Sequence, residues 1–113
     1  MTSASFRGRD QVAGVAPCNR GLNYGDGLFE TMRIHRGSVP LWPRHLARLG
    51  EGAQRLGIDL PDAAFIEARM AELIGGVAAG VLKLLLTRGD GGRGYAPLAG
   101  GPPAGTLSLH PLP

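Results

Sequence analysis

Gly25-Asp26-Gly27-Leu28-Phe29-Glu30-Thr31-Met32-Arg33, followed by Pro40-Leu41-Trp42 and then His45-Leu46-Ala47-Arg48-Leu49, is the stretch on which the reading of this chain turns. A glycine turn opens into residues 28–35, which read as a strand, and Arg36-Gly37-Ser38 returns the chain to a short second strand, Val39-Pro40-Leu41. From Pro43 the pattern becomes helical. Proline in the first turn forfeits no hydrogen bond, and Gly57 stands just past the last periodic residue as a stop. Leu46, Leu49, Ala53 and Leu56 share one stripe that should face the core, with Glu51 and Arg55 pairing on the solvated side. Arg48 lies about 200° round the helix from Leu46, off that stripe, with His45 and Gly52 as neighbours.

Working outward, residues 5–15 read as a hairpin about Gly8-Arg9-Asp10, and residues 17–21 as a turn-rich connection. Downstream, Asp62 is placed to cap a second helix whose apolar face is Ile66, Met70 and Leu73, and Gly75-Gly76 ends it. Residues 81–87 form an apolar run read as a buried strand, residues 88–103 a glycine-proline loop, and residues 106–110 a last alternating strand. These elements predict an α/β chain of the α+β type: a two-layer sandwich whose mostly antiparallel sheet is covered on one face by two helices. A partner domain would cover what remains open.

Composition narrows the function. With 113 residues there is room for one small domain, and 43% hydrophobic residues spread along the chain are enough for a core. The net charge of +3 comes from arginines scattered among acids, which argues against a polybasic nucleic-acid arm and suits a small anionic ligand. A single cysteine, Cys18, excludes an internal disulfide and has no metal-site spacing around it. No apolar run approaches membrane-spanning length and the first ten residues are polar, so the expected location is the cytoplasm.

Several residues are candidates for chemistry. Arg48 is, on periodicity alone, a solvated arginine paired with Glu51; the functional alternative is an anion contact that the small Gly52 makes easier. Arg88 and Arg93 flank Gly89-Asp90-Gly91-Gly92, where two guanidinium forks can converge on a carboxylate; the plain alternative is a surface loop. Tyr24 and Phe29 bracket the Gly25-Asp26-Gly27 turn as pocket-lining candidates. Lys83 is the only lysine, in mid-strand, and reads as a snorkelling side chain, not a Schiff-base former. His35, His45 and His110 lack metal spacing, and no metal site is expected.

Residues 19–31, then Pro40-Leu41-Trp42, then His45-Leu46-Ala47-Arg48-Leu49, resemble the amino-terminal part of the class IV aminotransferases, pyridoxal-phosphate enzymes of fold type IV. Within that family, residues 52–58, Leu82-Lys83 and Thr87-Arg88-Gly89-Asp90-Gly91-Gly92-Arg93-Gly94-Tyr95 are similar to the aminodeoxychorismate lyases. The resemblance implies cleavage of 4-amino-4-deoxychorismate to 4-aminobenzoate and pyruvate, a step of folate synthesis, in a homodimer. It places the cofactor phosphate on Arg48 and the substrate's carboxylates near Arg88 and Arg93; Tyr24 and Phe29 remain substrate-site candidates from the residues themselves, with ordinary packing as the plain alternative. It also implies that residues 1–105 are the small amino-terminal domain and 106–113 the start of a connector to a larger domain carrying the Schiff-base lysine. No catalytic residue is then expected in this chain, which by itself should be inactive. Asn19 stands where the family normally has an aspartate before the Arg-Gly pair. Alternatives left open are an aminotransferase for branched-chain or D-amino acids and a non-catalytic remnant or interaction module.

Overall fold

The computed structural model describes residues 2–91 and 102–113. Five strands form one sheet: β1 (Ser3–Arg7), β2 (Asp10–Val12), β3 (Gly27–His35), β4 (Ala79–Thr87) and β5 (Ala104–His110). Their order is β2-β1-β5-β4-β3, and every neighbouring pair is antiparallel. Three helices accompany them: α1 (Arg20–Tyr24), α2 (Trp42–Leu56) and α3 (Ala63–Ile74). The α+β sandwich is therefore as predicted, with one short helix more.

Alternation along the strands assigns the layers. Met32 and Ile34 of β3, Leu82, Leu84 and Leu86 of β4, Leu107 of β5 and Phe6 of β1 point to one face and are buried. Leu49 and Ala53 of α2 and Phe65, Ile66, Met70, Leu73 and Ile74 of α3 close over them. Phe6 meets Phe65 edge to face at 5.5 Å. This packing needs Gly105: a side-chain carbon there would collide with the Phe6 ring, so the strand leaves a gap that the aromatic fills.

The helix ends follow their predicted chemistry. The Asp62 side chain accepts from the Phe65 amide at 2.9 Å, and Gly57 takes the left-handed conformation, φ 70°, that closes α2. Glu51 and Arg55 pair at 2.7 Å along the solvated side of α2.

Four expectations are corrected. Val39-Pro40-Leu41 is not a strand; after a single bridge between His35 and Ser38 the chain runs directly into α2, because Pro40 has no amide to donate to a ladder. The true partner of β3 is β4, along all nine residues. Residues 17–21 are not merely a turn: Asn19 caps α1 through its side-chain oxygen, which accepts from the Leu22 amide at 3.1 Å. Leu56 ends the helical stripe exposed instead of buried, because the core closes one turn earlier and Ile58, beyond the cap, takes the place. The strand read at residues 106–110 is present as β5, which pairs with β1 and β4 at once, so the connector assigned to 106–113 gives way to sheet as far as His110. Among the described residues no helix is long and apolar enough to cross a membrane.

Candidate functional site

Two carboxylates organise the polar chemistry, and neither stands out in the linear sequence. Glu30 occupies an inward position of β3, between the buried Met32 and the half-buried Leu28, and is only 5% exposed. A carboxylate on an apolar face must be partnered. Helix α2 supplies the partners. Arg48 binds Glu30 through both arms of its fork, Nε to Oε2 at 2.9 Å and Nη2 to Oε1 at 2.7 Å, and His45 Nδ1 lies 2.5 Å from Oε1. Burial by itself raises the Glu30 carboxyl, but the hydrogen bonds and charges of Arg48 and His45 outweigh it and hold the group below the ordinary carboxylate range. The same pair raises Arg48.

The predicted Arg48–Glu51 pair is thus replaced by Arg48–Glu30, because Glu51 is taken by Arg55 one turn further on. Seated on Glu30, the Arg48 side chain is still 71% exposed, and its Nη1 donates to no group among the described residues. Gly52 does not create the space: a methyl there would meet Leu28 at ordinary contact distance, 3.7 Å. Beside the Arg48 anchor, an open cleft of about 320 Å³ is lined by Arg33 and His35 of the edge strand, Pro40, Leu41 and His45.

Asp26, in the turn before β3, is the second centre. Its Oδ2 accepts from Arg20 Nε at 2.7 Å and from Arg88 Nε at 2.8 Å. Burial raises this carboxyl as well, and the two arginines reverse the sign, leaving it below its usual value. Arg20 is buried, donates from Nη1 to the Gly91 carbonyl, and stacks on the Tyr24 ring at 4.8 Å. Arg88 spends the rest of its fork on the end of α2, reaching the carbonyls of Leu56 at 2.6 Å and Gly57 at 3.3 Å. The expected pair of convergent forks is therefore not what the chain presents at Arg88: its guanidinium is a clamp between turn, strand and helix. Arg93 lies outside the described residues.

Asn19 belongs to the same neighbourhood. Its buried amide nitrogen donates to Thr87 Oγ1 at 3.0 Å and to Asp90 Oδ1 at 3.4 Å. An aspartate here would have no hydrogen to donate and would face Asp90 with like charge, which accounts for the amide at this position. Tyr24 and Phe29 do not form one wall. Tyr24 is tied to Arg20, whereas Phe29, 59% exposed, projects from the helix-free face of β3 beneath the Lys83 ammonium, 5.0 Å from its ring centre.

Sequence reasoning found Arg48 and missed Glu30, Asp26 and Arg20. A signal existed for Glu30: it has the parity of Met32 and Ile34, and an acid of that parity announces a buried partner. None existed for Arg20, whose partner is set by the path of a five-residue helix.

The solved 4-amino-4-deoxychorismate lyase of Pseudomonas aeruginosa superposes with a TM-score of 0.81 at 43% identity, over 96% of this chain and 40% of that one. The aminodeoxychorismate lyase of Vibrio harveyi is 32% identical over 96 residues, which is 84% of this chain and 35% of the relative. A D-alanine aminotransferase of Bacillus licheniformis is 35% identical over 97 residues, 83% of this chain and 34% of that enzyme. The chain thus spans about a third of the length of these curated relatives. Residues 27–113, from the first residue of β3 onward and including the Glu30–Arg48 pair, match the model of amino-transferase class IV, and the chain belongs to that family.

Proposed function

We propose that this chain is the small domain of a pyridoxal-phosphate lyase that converts 4-amino-4-deoxychorismate to 4-aminobenzoate and pyruvate. The observation that carries the reading is Arg48: braced by a buried carboxylate, it turns an uncommitted guanidinium edge to solvent, on a scaffold 43% identical to a solved lyase. The residues fit the cofactor's phosphate. Arg48 keeps Nη1 for an oxyanion, and Glu30, already answered by Arg48 and His45, adds little repulsion. When bound, pyridoxal phosphate supplies the electron sink for the elimination.

The chain's own residues anchor and orient. Arg48 holds the phosphate, and Glu30 with His45 fixes the angle at which Arg48 is presented. Asp26, Arg20 and Arg88 fix the turn on which Tyr24 and Phe29 are mounted, while Arg93 takes a substrate carboxylate. The covalent lysine comes from a following domain, and the working enzyme is a cytoplasmic homodimer of folate synthesis. Lys83 does not substitute for that lysine: Arg48 joins β3 from the helix layer, and Lys83 stands on the opposite face. The 113-residue chain alone should therefore release no 4-aminobenzoate.

The likeness to a D-alanine aminotransferase favours a second reading, transfer of an amino group. The protein encoded by the complete gene separates the two when supplied with aminodeoxychorismate or with an amino acid and an oxo acid. Release of 4-aminobenzoate is expected; amino transfer without it overturns the lyase assignment. Arg48→Gln in that protein should weaken cofactor retention about tenfold, the loss of one charged hydrogen-bonding partner.

A further inference from the structure

We infer that His45 is the proton-linked member of the Arg48 anchor: a second proton on its ring, taken up at Nε2, sets a positive charge beside the guanidinium and tightens the hold of Arg48 on an oxyanion. This rests on the reading of Arg48 as a phosphate anchor, but not on the lyase chemistry.

The hydrogen between His45 and Glu30 has one owner. Glu30 is held ionised by its partners, so its oxygens only accept, and the hydrogen between Oε1 and His45 Nδ1 belongs to the imidazole. The neutral ring is thereby fixed with its open lone pair on Nε2. That nitrogen meets no hydrogen-bond partner among the described residues, yet no buried side-chain nitrogen or oxygen among them lacks one, so Nε2 reaches solvent. The His45 side chain is 11% exposed and lines the open cleft, which gives a second proton its way in.

The charge count then changes with that proton. While His45 is neutral, the Glu30 carboxylate cancels the Arg48 guanidinium, and an anion arriving at Nη1 meets a pair of no net charge. Protonation leaves the trio with one net positive charge. Glu30 Oε1 accepts from His45 Nδ1 at 2.5 Å and from Arg48 Nη2 at 2.7 Å, so imidazole and guanidinium stand within two hydrogen-bond lengths of each other. At that range in a partly wet site, an added charge alters anion affinity severalfold. Facing His45 from the edge strand across the cleft are Arg33 and His35. Arg33 keeps its charge throughout, and of the two only His35 titrates near neutrality.

Sulfate is the probe, because it keeps its charge across the range in which histidine titrates, and Glu30, held below the ordinary carboxylate range, stays ionised there too. By NMR of the 113-residue chain at constant ionic strength, sulfate affinity should rise roughly threefold or more between about pH 8 and about pH 5.5. The His45 ring resonances should titrate at higher pH with sulfate than without it, as linkage requires, and this measurement needs no variant. His45→Asn keeps a donor for Glu30 but has no second proton to take up, so it should make the affinity flat with pH, whereas His35→Asn should leave the slope in place. A slope that survives His45→Asn, or a His45 ring whose titration ignores sulfate, overturns the inference and leaves the anchor standing. Sulfate shifts indifferent to Arg48→Gln overturn both. Amino transfer without 4-aminobenzoate release by the protein from the complete gene removes only the lyase reading; a sulfate affinity that still follows the His45 proton then supports the switch on its own.

Discussion

The carboxylates of Glu30 and Asp26 each hold two basic side chains, yet one arrangement opens outward and the other closes on itself. At Glu30 the arginine comes from the exposed flank of α2, so the fork that grips the acid leaves a donor edge in solvent. At Asp26 both arginines are drawn inward, and their remaining donors reach the carbonyls of Gly91, Leu56 and Gly57. The lesson is that an arginine's role depends on how many of its five donors the fold consumes. Arg48 has donors to spare for a ligand; Arg88, its equal by motif, is largely committed to holding the turn.

The sharpest way to break this contrast is to remove each acid in turn. Asp26→Ala should be the most damaging, at about 3 kcal/mol, because it withdraws the carboxylate that meets buried Arg20. Urea unfolding of the variant measures it, and a loss below 1 kcal/mol would mean that the turn is not held by its arginines. Glu30→Gln should cost about 2 kcal/mol by the same measurement and, unlike Asp26→Ala, should also weaken binding of pyridoxal phosphate. Equal effects of the two variants on phosphate binding would erase the distinction between the centres.

Acid provides the reversible version. Both carboxyls titrate lower in the folded chain than in the unfolded one, so their stabilisation is present above the unfolded value of about 4 and is lost as pH falls through the depressed folded values. Asp26→Asn should flatten that acid limb; an unchanged profile would exclude Asp26 as a contributor. Arg88→Met is expected to cost about 1 kcal/mol, the net worth of hydrogen bonds at a helix end, with protection of the α2 terminus against hydrogen exchange falling first. Gly52→Ala should be the mildest, a gain of about 0.5 kcal/mol from helix propensity, since the added methyl meets Leu28 without collision.

Much of the architecture was legible because it is local. Asp62 and Gly57 mark helix ends by capping chemistry, and Leu82, Leu84 and Leu86 mark a strand's inner face by parity. The failures share a cause. Val39-Pro40-Leu41 looked like a hairpin strand because a turn preceded it, but the choice between Val39 and the distant β4 as partner for β3 depends on a complete nine-residue ladder. Residues 106–110 read as a strand from their alternation, but that β5 fills the gap between β1 and β4 is a placement that no window of neighbouring residues contains.

The same division runs through the site. The His-x-x-Arg motif singled out Arg48 and the family likeness, because the spacing of a helix face is written in the chain itself. Which acid grips Arg48, which arginines are consumed at Asp26, and that Lys83 stands over Phe29 were decided only when strands and helices met. Hydrogen bonds and ion pairs act over a few ångströms, and residues 18, 62 or 68 positions apart come within that range only in the folded molecule.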